Sequence, residues 1–426
     1  MINRILSNIK SRGIASPSII LVVSSVVGQG VTMSALPLIT RLYSPEDFGT
    51  LAIYAAVLTL LLSFSSLKYE LAVTIPSSDS EAAGLVLGAC LILVSTCLTC
   101  LVIVIGLDIS SVNLLAGISN KYLYMIPIGL FGAGLYQLMT YWQIRKHGFF
   151  LIGKTRLVQS LSMVGCQVGM GFLTGGAMGL LVGDTVGRSA GGLQMAKGFF
   201  LQNKTDYRQN WRRIYIVLRR YVDFPKFSTW STFASSLGMQ MPNIIIASLF
   251  SPAAAGFYLL ASRIGGLPSD ILGQAVGQAY MAEVSESIRS GRLSDVIDIT
   301  KSTMNKMIIW GFVIISGCLV LANFIEMIFG SEWVMTKKYL VILSPVFALK
   351  VIVSPVSNII YLSQRQVIQA VGDFVRVALI AACFFVTLLI SGTALQAVTA
   401  YSIIMSLFYI SWGYIYIRTA YSLGDK

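Results

Sequence analysis

Charge is scarce in this 426-residue chain: Asp, Glu, Lys and Arg together make up 12% of it. Soluble domains carry about 25%, so an ordinary water-soluble protein is excluded. Histidine is nearly missing. His147, between Lys146 and Gly148, is the single one, and it has no second metal ligand beside it. The six cysteines all fall in or at apolar stretches, so no extracellular disulfide framework is indicated. Cys97-Leu98-Thr99-Cys100 spells C-x-x-C, but without a second pair it reads as ordinary packing. No Walker lysine, H-E-x-x-H or G-x-S-x-G pattern occurs. Neither an ATP site, a metal centre, a catalytic residue nor a resident cofactor is therefore expected.

What is present is apolar surface, 55% hydrophobic residues and a mean hydropathy of +0.76. It arrives in long blocks rather than heptads or short alternating strands, which excludes a soluble bundle and an outer-membrane barrel. The chain reads as an all-α polytopic membrane protein. Runs of about 20 apolar residues predict twelve transmembrane helices, at 17–39, 46–67, 82–107, 121–143, 152–173, 177–199, 226–250, 255–280, 304–329, 338–361, 366–390 and 394–417. The sixth is diluted by Asp184, Arg188 and several glycines. Arg4, Lys10 and Arg12 precede the first run as in a signal peptide, but no small-x-small cleavage site follows, so it reads as a retained helix. With both termini in the cytoplasm, 23 of the 31 Lys and Arg residues fall on the inside and 4 on the outside. The net charge of +13 is then a topology signal and a match to anionic membrane lipid, not evidence for nucleic acid.

An internal echo organises the chain. Leu42-Tyr43-Ser44-Pro45-Glu46-Asp47-Phe48-Gly49 shares its leucine, aromatic, serine, proline and glycine with Leu249-Phe250-Ser251-Pro252-Ala253-Ala254-Ala255-Gly256, 207 residues later. Ser-Pro is a helix-start signal, since proline is pre-set for the first helical position and needs no N–H partner there. The repeat implies two six-helix lobes, 1–200 and 225–426. Residues 201–224 join them. There Trp211, Ile214, Tyr215, Leu218 and Tyr221 recur at helical spacing beside Arg208, Arg212, Arg213, Arg219 and Arg220. That pattern fits a basic amphipathic helix lying on cytoplasmic headgroups, with a plain solvated loop as the alternative. Gly179, Gly183, Gly187 and Gly191 share one face of the sixth span and predict close helix packing; Gly165 and Gly169 are a shorter version on the fifth.

Charges deep in spans are costly and face a partner or a cavity. They are Asp184, Arg188, Arg263, Lys350, Asp373 and Arg376. Asp184 and Arg188 stand four apart and Asp373 and Arg376 three apart, so mutual neutralisation stays open for both pairs. Arg263 and Lys350 have no sequence-local partner, and a water-filled, anion-attracting cavity accounts for them. Arg41 and the couple Lys68/Glu70 lie near span ends, where snorkelling suffices.

The stretch Leu36-Pro37-Leu38-Ile39-Thr40-Arg41-Leu42-Tyr43-Ser44-Pro45-Glu46-Asp47-Phe48-Gly49, followed by Ser66-Leu67-Lys68-Tyr69-Glu70-Leu71-Ala72, resembles the opening of bacterial polysaccharide (O-antigen) flippases of the multidrug/oligosaccharidyl-lipid/polysaccharide exporter superfamily. The resemblance implies two lobes in a V around a central cavity that faces the two sides of the inner membrane in turn. It implies an undecaprenyl-pyrophosphate-linked oligosaccharide as substrate, transient contact with other polysaccharide assembly proteins, and no enzymatic activity. Arg41 and Glu70 match recurrent family positions. On the physical argument, Arg263, Lys350, Arg376 and Arg188 would neutralise the pyrophosphate, while Asp184 or Asp373 could bind a coupling proton or sodium ion; the resemblance adds Arg41 to the first set and Glu70 to the second. Three rivals share features. A multidrug exporter of the same superfamily would call for an acidic or aromatic cavity. A polysaccharide polymerase or ligase would carry a sizeable outside loop, and a scaffolding protein would leave the buried charges unexplained.

Overall fold

The computed structural model describes residues 17–110, 119–173, 175–202, 211–363 and 365–424. All regular structure among them is helical, and every one of the twelve expected spans falls on helix. Eight helical segments are long and apolar enough to cross a membrane. The fifth, seventh and eighth expected spans are helical too, but polar residues such as Arg156, Asn243 and Asp270 keep them below that mark, and the sixth is divided into two helices each too short to reach it. The chain forms two compact units that divide between Gln240 and Met241.

In the first unit, α1 (Pro17–Leu42) leads into α2 (Pro45–Leu62) through the Ser-Pro phrase. Ser44 caps α2: its Oγ accepts from the Asp47 N–H at 3.2 Å, and Asp47 Oδ2 accepts from the Ser44 N–H at 3.0 Å. Two otherwise orphaned donors are thus satisfied reciprocally. The second span, expected to run to residue 67, stops at Leu62. A run of turns follows in which Leu67 and Lys68 adopt left-handed conformations, φ 49° and 60°, before α3 (Tyr69–Ala72). Next come α4 (Asp79–Ile109), α5 (Asn120–Leu123), α6 (Met125–Arg145) and α7 (Phe149–Leu173).

The sixth span is two helices, α8 (Ala177–Ser189) and α9 (Gly192–Gln202). They are separated by Ala190 and Gly191, the latter at φ +84°. Glycine takes that conformation without steric cost, and a Cβ there would lie 2.6 Å from Thr155 Cγ2. Connector helix α10 (Trp211–Arg220) precedes a π-helical turn (Phe224–Ser228) and α11 (Thr229–Leu249), which runs across the boundary between the units. The unit's core gathers Trp142 and Phe199, edge to face at 4.8 Å, with Leu85, Leu138 and Ile152. Cys97 and Cys100 are free thiols on α4, packed as the sequence suggests.

In the second unit, α12 (Pro252–Arg289) is capped by Ser251, whose Oγ accepts from the Ala254 N–H at 3.1 Å. Both copies of the repeated phrase therefore start a helix by the same device. Ala254 stands where Asp47 does, so the return bond exists in the first copy alone. Then come α13 (Leu293–Phe329), α14 (Thr336–Val353), a 3-10 turn (Ser354–Asn358), α15 (Ile359–Leu362), α16 (Gln366–Leu389) and α17 (Ala394–Gly424).

Candidate functional site

The charged residues singled out above divide between the units: Arg41, Glu70, Asp184 and Arg188 in the first, Arg263, Lys350, Asp373 and Arg376 in the second.

In the second unit, α12 carries Gly265, Ser269, Gly273 and Gly277 at four-residue spacing. Small residues at that period let helix backbones approach closely. A Cβ on Gly265 would lie 2.4 Å from the Phe347 ring, and one on Gly273 2.4 Å from Ser354 Oγ. Ser269 Oγ donates to the Phe347 carbonyl at 3.1 Å, drawing α14 onto the stripe. This approach brings Asp270, next to Ser269, against Lys350, one turn beyond Phe347, at 2.5 Å. Lys350 has no partner near it in sequence, as expected; the one it finds lies on another helix and escaped sequence reading. Arg263, two turns before Asp270 on the same helix and half-buried, has an interaction of its own and does not stand alone either.

The Lys350–Asp270 pair is not sealed: the side chains keep 24% and 40% of their exposure. Lys350 lies in the last turn of α14, but the apolar helical segment runs on from Thr336 to Leu362, about 21 Å of it preceding Lys350, so Lys350 sits deep in the span. A charge at that depth turns its open side toward a polar space rather than lipid tails. Tyr258 and Tyr409 lie within electrostatic reach of Lys350. Tyr258 and Tyr401 face each other edge to face at 6.1 Å. On α16, Asp373 and Arg376 pair at 3.0 Å, and on α17 Tyr416 donates to Gln369 Oε1 at 3.4 Å. Cations, carboxylates and phenols thus share one region of the unit, a combination suited to phosphate and sugar hydroxyls.

In the first unit, the Gly179–Gly191 face packs on α7 as its spacing suggests. A Cβ on Gly183 would lie 2.3 Å from Gln167 Cγ, and one on Gly187 2.6 Å from Met163 Cβ. Gly165 and Gly169 meet nothing within 4 Å, so the shorter pattern makes no close approach. With its glycine face taken, α8 directs Asp184 and Arg188 elsewhere, where they pair at 2.6 Å with Asp184 buried. Mutual neutralisation, left open by the i,i+4 spacing, is realised. Beside them Tyr54 and Thr185 share a 2.6 Å hydrogen bond.

Snorkelling does not describe Lys68 and Glu70. Glu70 is fully buried, Lys68 is 7% exposed, and they pair at 3.3 Å. Gln137 Nε2 donates to Glu70 at 2.9 Å, and Ser66 Oγ donates to its other oxygen. The left-handed turn at Leu67 and Lys68 folds the chain back and carries the carboxylate inward. Arg41, by contrast, is exposed in the last turn of α1.

Residues 38–338 match the family described as polysaccharide biosynthesis protein. No curated protein is similar enough in sequence to count as a relative. Among solved structures, the lipid II flippase MurJ in its inward closed conformation aligns with a TM-score of 0.69 at 13% identity, over 94% of this chain and 87% of that one. An inward-facing multidrug resistance MATE family transporter of the MOP superfamily aligns with a TM-score of 0.62 at 13% identity, over 92% of this chain and 96% of that one. These likenesses establish a multi-pass, all-helical membrane fold of the kind found in that superfamily.

Proposed function

The chain belongs to the polysaccharide biosynthesis protein family, and from that premise we propose that it is a flippase for undecaprenyl-pyrophosphate-linked oligosaccharide repeat units. It would carry them across the bacterial inner membrane by alternating access, for assembly of O-antigen or a related surface polysaccharide, with both termini in the cytoplasm. One observation carries the reading: the half-open Lys350–Asp270 pair deep in the second unit, among tyrosines and near the Asp373–Arg376 pair. A pyrophosphate offers the cations a stronger, multivalent acceptor than one carboxylate does. The lipid tail stays in the bilayer, and phenols such as Tyr258, Tyr401 and Tyr409 contact sugar.

Arg263 and Arg376 complete the cationic set of the second unit, and Arg188, with Arg41 at the helix end, is the candidate set of the first. A proton or sodium ion held at Asp184, Asp373 or Glu70 would bias the cycle; no resident cofactor and no covalent catalysis are involved. The same fold serves multidrug transport, but cationic drugs call for an uncompensated acidic site, and each of those carboxylates has a basic partner.

The test is translocation of a lipid-linked oligosaccharide in proteoliposomes. Lys350→Gln and Arg263→Gln are expected to lower the rate at least tenfold with unchanged protein insertion. Wild-type rates in both variants overturn the proposal.

A further inference from the structure

The connector helix has two faces, and the fold uses one of them. Ile214 and Val217 are buried, and Leu218 covers Gly88 of α4 so closely that a Cβ there would lie 2.8 Å from it. Tyr69 donates to the Leu218 carbonyl at 3.0 Å, and Arg220 pairs with Glu81 at 2.6 Å. Helix α10 is therefore clamped to the first unit rather than tethered loosely, with Arg208 outside the described residues.

The other face is Arg212, Tyr215, Ile216 and Arg219, at spacings of three, one and three, all exposed. Exposure continues through Lys226, Phe227 and Trp230. Tyr215 is 63% exposed, Ile216 59%, Phe227 70% and Trp230 61%, an apolar grouping rimmed by basic residues of the kind that marks a membrane or partner contact. Residues 211–230 hold five basic side chains against one acidic, Asp223.

Depth identifies the surroundings. On α4 the apolar run begins at Ala82, just after Glu81, and Gly88 lies six residues further, about 9 Å along the axis. Leu218 rests there, so α10 lies at the level where interfacial helices settle, roughly 5–10 Å into the boundary between headgroups and acyl chains.

We propose that the outer face of α10 is a preformed binding surface for anionic phospholipid. Arg212 and Arg219 hold the phosphate headgroup, while Tyr215 and Ile216, continued by Phe227 and Trp230, enter the upper acyl region. Because the inner face is already clamped to α4, the surface exists before lipid arrives and little ordering cost opposes binding. The site is independent of the transported substrate.

Native mass spectrometry of the full chain in detergent, titrated with phosphatidylglycerol and with phosphatidylcholine, tests this. The wild type is expected to retain phosphatidylglycerol preferentially. The double variant Arg212→Gln/Arg219→Gln should weaken that retention by roughly thirty-fold at an unchanged thermal midpoint. Ile216→Ser should weaken retention of both lipids. Lys337→Gln/Lys338→Gln, which removes two exposed lysines elsewhere, should change nothing. Equal retention of the two lipids by the wild type, full retention in the double arginine variant, or equal loss in the lysine variant each overturns the proposal.

Discussion

Two glycines on neighbouring helices make opposite predictions. Alanine at Gly169, on α7, meets open space. The substitution is expected to stabilise the protein by about 0.5–1 kcal/mol, the usual gain from removing a helical glycine. At Gly183, on α8, the same methyl group would lie 2.3 Å from Gln167 Cγ, 3.0 Å from the Met163 carbonyl oxygen and 3.1 Å from the Gln167 nitrogen. Two of those atoms are backbone, which cannot rotate aside, so α8 must move off α7. Overpacking of this kind costs about 1–3 kcal/mol, and the fixed backbone places this site in the upper part of that range. Less the propensity gain, Gly183→Ala should lose about 1–2 kcal/mol. At about 2–4 °C per kcal/mol for units of this size, the thermal midpoint in detergent should fall by about 2–8 °C in Gly183→Ala and rise by about 1–4 °C in Gly169→Ala. Shifts of the same sign in both variants would refute the assignment of one glycine face to packing and the other to open space.

Three further outcomes follow from the ion pairs and caps. Lys350→Gln and Asp270→Asn should each cost about 1–2 kcal/mol, below the 3–5 of a sealed pair because Asp270 is 40% exposed; in a double-mutant cycle by thermal unfolding the double variant should lose less than the sum, and strict additivity would dissolve the pair. Glu70→Gln leaves Lys68 buried without its carboxylate and should cost about 3 kcal/mol, with part recovered by adding Lys68→Met; no recovery in unfolding scans would point to Gln137 and Ser66 instead. Ser44→Ala should cost about 1–2 kcal/mol and Ser251→Ala about 1, since Asp47 returns a bond in the first cap alone; equal losses in thermal midpoint would discount the reciprocal bond.

Local signals in the sequence carried far. Ser44-Pro45 and Ser251-Pro252 announced helix starts because a cap needs only residues within one turn. The pairs Asp184–Arg188 and Asp373–Arg376 were legible for the same reason, with partners three or four residues away on one helix. The fully buried carboxylate was not. Hydropathy runs on through Phe64 and Leu67, whereas the helix ends at Leu62 where serines turn to bond backbone: Ser65 Oγ donates to the Leu62 carbonyl at 2.9 Å. Left-handed backbone at Leu67 and Lys68, unusual for such residues, then decides where Glu70 goes, and no periodicity records it. The break at Gly191 was masked likewise, since its glycine counted toward the packing face and hid that the helix stops there.

The Lys350–Asp270 pair was invisible for another reason: its members lie on different helices, and only the approach of α14 to α12 joins them. The stripe responsible, Gly265, Ser269, Gly273 and Gly277, has the period already seen in Gly179–Gly191. In each unit an aspartate directly follows a member of the stripe, Asp184 after Gly183 and Asp270 after Ser269, and each meets a cation. The internal repeat does not account for this. Its 207-residue offset places Asp270 over Ser63, which carries no charge. The two arrangements are therefore separate products of one physical constraint. An acid deep in a span needs a partner at hydrogen-bonding distance, and a small-residue face is what lets a second helix come near enough, or leaves the rest of its own helix free, to supply one. The arrangements differ in the side left open: Asp184 is buried against Arg188 of its own helix and beside Tyr54 of α2, whereas Asp270 retains an accessible flank beside Lys350. On the function proposed, the second is the one whose carboxylate an incoming phosphate would replace without unpacking a helix.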